Sequence, residues 1–172
     1  MLPKFLGRGK SIAVPSGYVP YSANEFLERF GIASEAAQIL AADYQSILGI
    51  KEPNDFSGLV FSAKRDLHRI SVAIESRYDL DRSTAARVAG FVANVGMAHA
   101  QQRRQVELGI IQCRWLVSTC GTTLGDPNVL HAELLGKLYD PSRGLSMGGK
   151  YLLPGVAIGC TCIGKPILPG FS

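Results

Sequence analysis

No uninterrupted apolar run in the chain approaches the ~18 residues that a membrane-crossing helix requires, although hydrophobic residues make up 47% of the 172. A helical membrane span is therefore not expected, and the apolar content is free to form a core. Charge is sparse at 19%, and with that much apolar content the composition is not that of an intrinsically disordered chain. Nor is one sign concentrated. Residues 1–50 carry 4 basic and 4 acidic side chains, residues 51–100 carry 7 and 6, and residues 101–172 carry 7 and 4. The net charge of +4 thus lacks the dense basic stripe of a dedicated nucleic-acid-binding domain. The basic start (Lys4, Arg8, Lys10) is broken by Pro3, Gly7 and Gly9 and has no apolar segment of the secretory kind. Folding in a reducing cytosol is expected, which makes the four cysteines thiols or metal ligands rather than disulfides. The cluster Gly144, Gly148, Gly149, Lys150 misses the spacing of a phosphate-binding loop and reads as an ordinary loop.

Proline and glycine are concentrated at the two ends. Pro3, Pro15 and Pro20 with Gly7, Gly9 and Gly17 predict an extended arm over 1–21, flexible until it meets a partner, with Lys4, Arg8 and Lys10 as candidate nucleic-acid contacts. Ser22 and Glu25 have the spacing of a capping box ahead of Phe26, Leu27 and Phe30, and Gly31 stops the turn. Ser34 is placed to cap a second helix over about 35–48, whose Ala36, Ile39, Leu40, Tyr44 and Ile47 recur with a 3.6-residue period. Gly49, Pro53 and Gly58 mark a loop. Leu59, Val60, Ala63, Leu67, Ile70, Ala73 and Ile74 predict one helix over 59–78. Asp81 or Ser83 caps a fourth helix reaching about 107, with Ala85, Val88, Ala89, Val92 and Val95 on its core face. Its last turns, Gln101 to Gln105, read as exposed; His68 and His99 are expected to face solvent or a neighbouring helix.

After Gly109 the composition turns β-branched and aromatic. Residues 110–119, with Trp115, predict a strand; 128–135 a short helix ended by Gly136; 141–157 a loop with a short strand near Tyr151; and 157–163 a second strand, followed by a flexible tail over 164–172. Helices first and a small antiparallel β-containing end give an α+β class. The sheet is expected to pair the Trp115 strand with the Cys160 strand, below His131.

These elements together resemble the C-terminal module of the phage Mu F-like head morphogenesis family. That module has a long helix ending in glycine, a Trp-bearing strand, a His-x-x-Leu-x-Gly-Lys segment and a closing Pro…Cys-x-Cys. Here the matching positions are Gly109, Trp115, His131, Leu134 or Leu135, Gly136, Lys137, Pro154, Cys160 and Cys162. Asp79 to Ala89 is similar to the entry into the family's long helix. Two features depart from the pattern: Ala89-Gly90-Phe91-Val92 stands where the family has Ala-Arg-Thr-Glu, and Asn128-Val129 where Arg is common. The resemblance covers about residues 70–165, and with the composition and helix signals it divides the chain into an arm (1–21), a helical extension (22–58), the family-like module (59–165) and a tail (166–172). It implies a virion minor capsid protein assembled in the host cytoplasm, present in multiple copies. Its implied partners are portal and capsid proteins, with packaged double-stranded DNA as a further one. Trp115, His131, Gly136, Lys137, Cys160 and Cys162 are then structural or interface positions, and no catalysis is expected.

Two chemical alternatives stand beside that reading. Cys160 and Cys162, spaced i, i+2 on a strand, would present both sulfurs to one side. With His131 and either Cys120 or Cys113 they form a candidate Cys3His zinc site, although the spacing lacks the usual Cys-x2–4-Cys knuckle. The competing expectation is no cofactor, with buried thiols acting as small hydrophobes. A small nuclease or toxin-like effector would use His131 with Arg114 or Lys137, but no second acid–base residue shares that motif.

Overall fold

The computed structural model describes residues 20–116, 131–147 and 150–170. Among these, five α-helices precede short antiparallel strands, a mixed α+β arrangement as expected. The helices are α1 (Ala23–Phe30), α2 (Ser34–Ile47), α3 (Asp55–Ala63), α4 (Leu67–Tyr78) and α5 (Arg82–Glu107). They are followed by β1 (Cys113–Leu116), a 3-10 turn (His131–Leu134), β2 (Leu138–Tyr139), β3 (Leu145–Met147), β4 (Lys150–Leu152) and β5 (Ile163–Pro166). No helix among the described residues is long and apolar enough to cross a membrane.

Helix starts follow local chemistry. Ser22 Oγ accepts from the Glu25 amide and the Glu25 carboxylate accepts from the Ser22 amide, closing the expected capping box. Asp81 caps α5 by accepting from the Thr84 amide and hydroxyl, and those bonds hold its carboxyl below the usual range. Ser34 does not cap α2: it is the first helical residue, and Ala33 precedes it without a side-chain bond. The expected loop through Gly58 is helical, because Asn54 and Ser57 form a second reciprocal cap that starts α3 at Asp55. The division drawn at 58/59 falls inside this helix.

The single helix expected over 59–78 is two. Lys64 turns the backbone to a φ of +53°, and Asp66 then caps α4 by accepting from the Arg69 amide. Apolar periodicity runs through the break because Val60 and Ala63 before it, and Ile70 and Ile74 after it, are buried in the same core. Leu67, assigned to that buried stripe, sits at the break and is 50% exposed.

Helix α5 is the centre of the helical body. Ala85, Val88, Ala89, Val92 and Val95 are all fully buried. The close approach to α3 depends on Gly96, where an added Cβ would lie 2.7 Å from Val60 Cγ1. Phe26, Tyr44 and Phe91 pack with ring centroids 5.4 to 5.6 Å apart. Tyr21, expected in the extended arm, belongs to this aromatic group at 5.5 Å from Phe26, and its hydroxyl accepts from the Ile158 amide at 3.1 Å. An aromatic ring with a satisfied hydroxyl gains more from burial than from extension into solvent.

Asp43 is only 1% exposed and ties three helices together. Its carboxylate accepts from Arg77 Nε at 2.6 Å and Nη2 at 2.8 Å, from the Tyr78 hydroxyl at 2.7 Å and from Asn54 Nδ2 at 2.7 Å. Arg77 also lies over the Phe56 ring at 5.4 Å. The Asp43 hydrogen bond raises the guanidinium pKa further, and burial raises that of Tyr78. A buried carboxylate is tolerated only with its lone pairs filled, and here four donor atoms fill them.

Removing Asp43 orphans the Tyr78 hydroxyl and Asn54 amide while leaving a cation beside them. Asp43→Ala is expected to lower unfolding stability by about 3–5 kcal/mol, measured by urea denaturation; a loss under about 1 kcal/mol would contradict this account. His99, on α5 beside Phe61, is buried; desolvation first and the nearby Arg103 charge second lower its pKa from 6.5 to about 4. The neutral form is therefore favoured in the folded chain. This contribution to stability is complete above pH 6.5 and declines as pH falls from there toward about 4. His99→Gln is expected to flatten that part of the stability-versus-pH curve by on the order of 2–3 kcal/mol, read from denaturation midpoints at several pH values.

Candidate functional site

The site is built on β1, the middle strand of an antiparallel sheet ordered β2-β1-β5. Cys113 pairs with Tyr139 and Arg114 with Leu138 on one side; on the other, Arg114 pairs with Lys165, Trp115 with Gly164 and Leu116 with Ile163. The strand alternates, with Cys113 and Trp115 buried and Arg114 exposed. Cys113, Trp115, Leu134, Tyr139, Cys160 and Cys162 form a core of their own, apart from the helical one. The Trp115 carbonyl accepts from the Gly136 amide at 2.8 Å, and its amide donates to the Lys137 carbonyl at 2.8 Å. Gly136 has a φ of +78°, a left-handed turn that glycine adopts without a Cβ penalty and that brings 137–139 back alongside β1. The Trp115 segment, the segment from His131 to Lys137, and the Cys160/Cys162 segment thus meet in space.

Cys160 and Cys162 do not lie on a strand. The expected strand over 157–163 is instead a turn at 158–159 and irregular chain over 160–162, and the pairing segment begins at Ile163. Part of the tail expected to be flexible, 164–166, is therefore ordered in β5, and the Ile167 amide continues the pairing by donating to the Gln112 carbonyl. Both sulfurs still turn inward. The Cys160 thiol is hydrogen-bonded to Cys162 and accepts from the Gly155 amide at 3.3 Å. The bond to Cys162, then burial, push the Cys160 thiol far up. Burial also raises Cys113, opposed by the bond it accepts from the Tyr139 hydroxyl. Thiols held neutral in an apolar core are poor nucleophiles; they pack.

The module is fastened to α5 by glutamine amides. Gln105 Nε2 donates to the Gly164 carbonyl at 3.0 Å, Gln101 Nε2 to the same carbonyl at 3.2 Å, and Gln102 Nε2 to the Pro141 carbonyl at 2.6 Å. Gln102 and Gln105 are buried, correcting the expectation that 101–105 is exposed. A polar run at a helix end reads as solvated until a sheet edge needs donors. Gly164 is the tightest point: a Cβ there would collide with the Tyr139 hydroxyl. Beyond β2, the Asp140–Gly144 bridge leads into the β3–β4 hairpin, where β3 replaces part of the expected loop and β4 contains Tyr151.

Of the four candidate zinc ligands, Cys160 and Cys162 are adjacent, while Cys120 and the His131 side chain lie outside the described residues. Cys113 shares their core. Among the described residues no three His, Cys, Asp or Glu side chains gather as a metal would need. Lys4, Arg8 and Lys10 also lie outside the described residues. His68 is exposed. Sequence reasoning missed Gln102, Gln105, Tyr139 and Gly164; the two glutamines, three apart on one helix face, were the available signal. No protein-family model, curated protein or solved structure matches the chain.

Gln105→Ala leaves the Gly164 carbonyl with only the exposed Gln101 amide, and Gly164→Ala forces Tyr139 to move. Each is expected to cost about 1–3 kcal/mol. Amide hydrogen exchange should show the loss first in β1 and β5, with the Asp43 region unchanged. Uniform loss across both regions would mean that the two cores are not separately fastened.

Proposed function

We propose that the chain is a phage or prophage minor head protein of the Mu F-like kind, a structural virion component that associates with portal and capsid rather than an enzyme. What carries this reading is the convergence of the three segments behind the resemblance. Trp115, the Leu134–Lys137 segment and Cys160/Cys162 are separated by up to 47 positions in the sequence numbering yet close one core. In this reading Trp115, Gly136, Cys160 and Cys162 build the module, and Lys137, exposed on its rim, faces a partner. The chemistry of the described residues agrees, since buried neutral thiols and a buried Trp support packing rather than turnover. Packaged DNA is a further partner through the basic residues of the amino-terminal stretch.

Mass spectrometry of purified particles, or of proteins co-purified with the tagged chain from its host, should find it with portal and capsid proteins. Recovery only as free protein, or nucleic-acid cleavage lost in His131→Ala, would replace this reading with the effector one.

A further inference from the structure

We infer that the outer face of the β2-β1-β5 sheet is a docking surface for an acidic, apolar segment of another protein. Register places Leu138, Arg114 and Lys165 in one row across the three strands. Arg114 and Lys165 are directly opposite one another, and both are exposed. Like charges facing across a strand pair are destabilising, and neither residue joins an ion pair among the described residues. Asp140, at the end of β2, directs its carboxylate instead to the Ser142 amide and hydroxyl at 2.8 and 2.6 Å.

The two cations open into a groove of about 390 Å³, a size typical of ligand pockets. Its far wall is the 166–170 segment, contributing Pro166, Ile167, Leu168 and Pro169, and among the described residues no acidic side chain lines it. The wall is pinned where the Ile167 amide donates to the Gln112 carbonyl at 3.0 Å. Around it Leu138, Ile163 and Leu168 are 46%, 50% and 49% exposed. A guanidinium takes a carboxylate in paired hydrogen bonds, and the aliphatic wall takes the apolar neighbours of that carboxylate. A nucleic acid fits less well: among the described residues no aromatic lines the groove to stack a base, and two cations neutralise few phosphates. The inference stands on this surface alone and holds whether or not the chain is a virion protein.

The test is a titration of the ¹⁵N-labelled full chain, followed by amide chemical shifts. The probe is the acetylated, amidated peptide Leu-Glu-Leu-Asp-Leu, and its neutral counterpart is Leu-Gln-Leu-Asn-Leu. Saturable shifts are expected at the amides of residues 112–114, 165, 167, 168 and 170 with the acidic peptide only. The apparent Kd should rise several-fold between about 50 and 300 mM salt. Arg114→Gln and Lys165→Gln should each weaken binding by about tenfold. Lys165→Gln, on an edge strand, keeps the test informative if Arg114→Gln disturbs the sheet, and unchanged shifts in α1–α4 certify folding. Equal response to the neutral peptide, shifts elsewhere, no saturation at millimolar peptide, or tighter binding of duplex DNA at the same amides would each overturn the inference.

Discussion

A backbone carbonyl at the edge of a three-stranded sheet sets the arrangement of this protein. Gly164 sits on β5 with its carbonyl directed away from β1, and the ladder offers it no donor on that side. A buried carbonyl without a partner is costly. The last turns of α5 supply donors from Gln101 and Gln105, and Gln102 does the same for Pro141. Helix and sheet are held at the separation two glutamine side chains can span. Gly164 is required there twice, because its carbonyl is the anchor and its missing Cβ leaves room for Tyr139.

The return path after the hairpin makes a second seam. Leu153, Val156 and Ile158 belong to the helical core, whereas Cys160 and Cys162, a few residues on, belong to the core around Trp115. The segment between them thus contributes to both. Tyr21 closes it from the other end of the chain by accepting from the Ile158 amide. The Cys113 and Cys160 thiols are buried and held protonated, and the buried Asp43 carboxylate is saturated by Arg77, Tyr78 and Asn54. On the outer sheet face Arg114 and Lys165 are exposed and form no ion pair among the described residues.

The helices were readable where a local rule was enough. The Ser22–Glu25 box and the stripe from Ala85 to Val95 involve residues within a few positions of each other, so spacing alone revealed them, and it narrowed the α5 cap to Asp81 or Ser83. The break at Lys64 was hidden because both of its flanks face the same core and periodicity does not register a change of axis. The strand at Trp115 was visible in its β-branched and aromatic composition. Its partner was misplaced by several residues, since Val156, Ile158, Cys160 and Cys162 are apolar for the sake of two cores rather than a ladder. The Asp43–Arg77 pair, 34 positions apart, left no trace in any local pattern.

By itself, the sequence determined the α+β order, the Ser22–Glu25 cap, the core face of α5 and the inward character of Trp115, Cys160 and Cys162, because these follow from side-chain type and short-range spacing. Only the tertiary structure decided that polar Gln102 and Gln105 would be buried, that Asp43 would find Arg77, that Gly164 would lie against Tyr139, and that Arg114 would stand opposite Lys165. Each of those depends on a partner distant in the chain. The free energy of a polar group reverses sign according to whether that partner arrives.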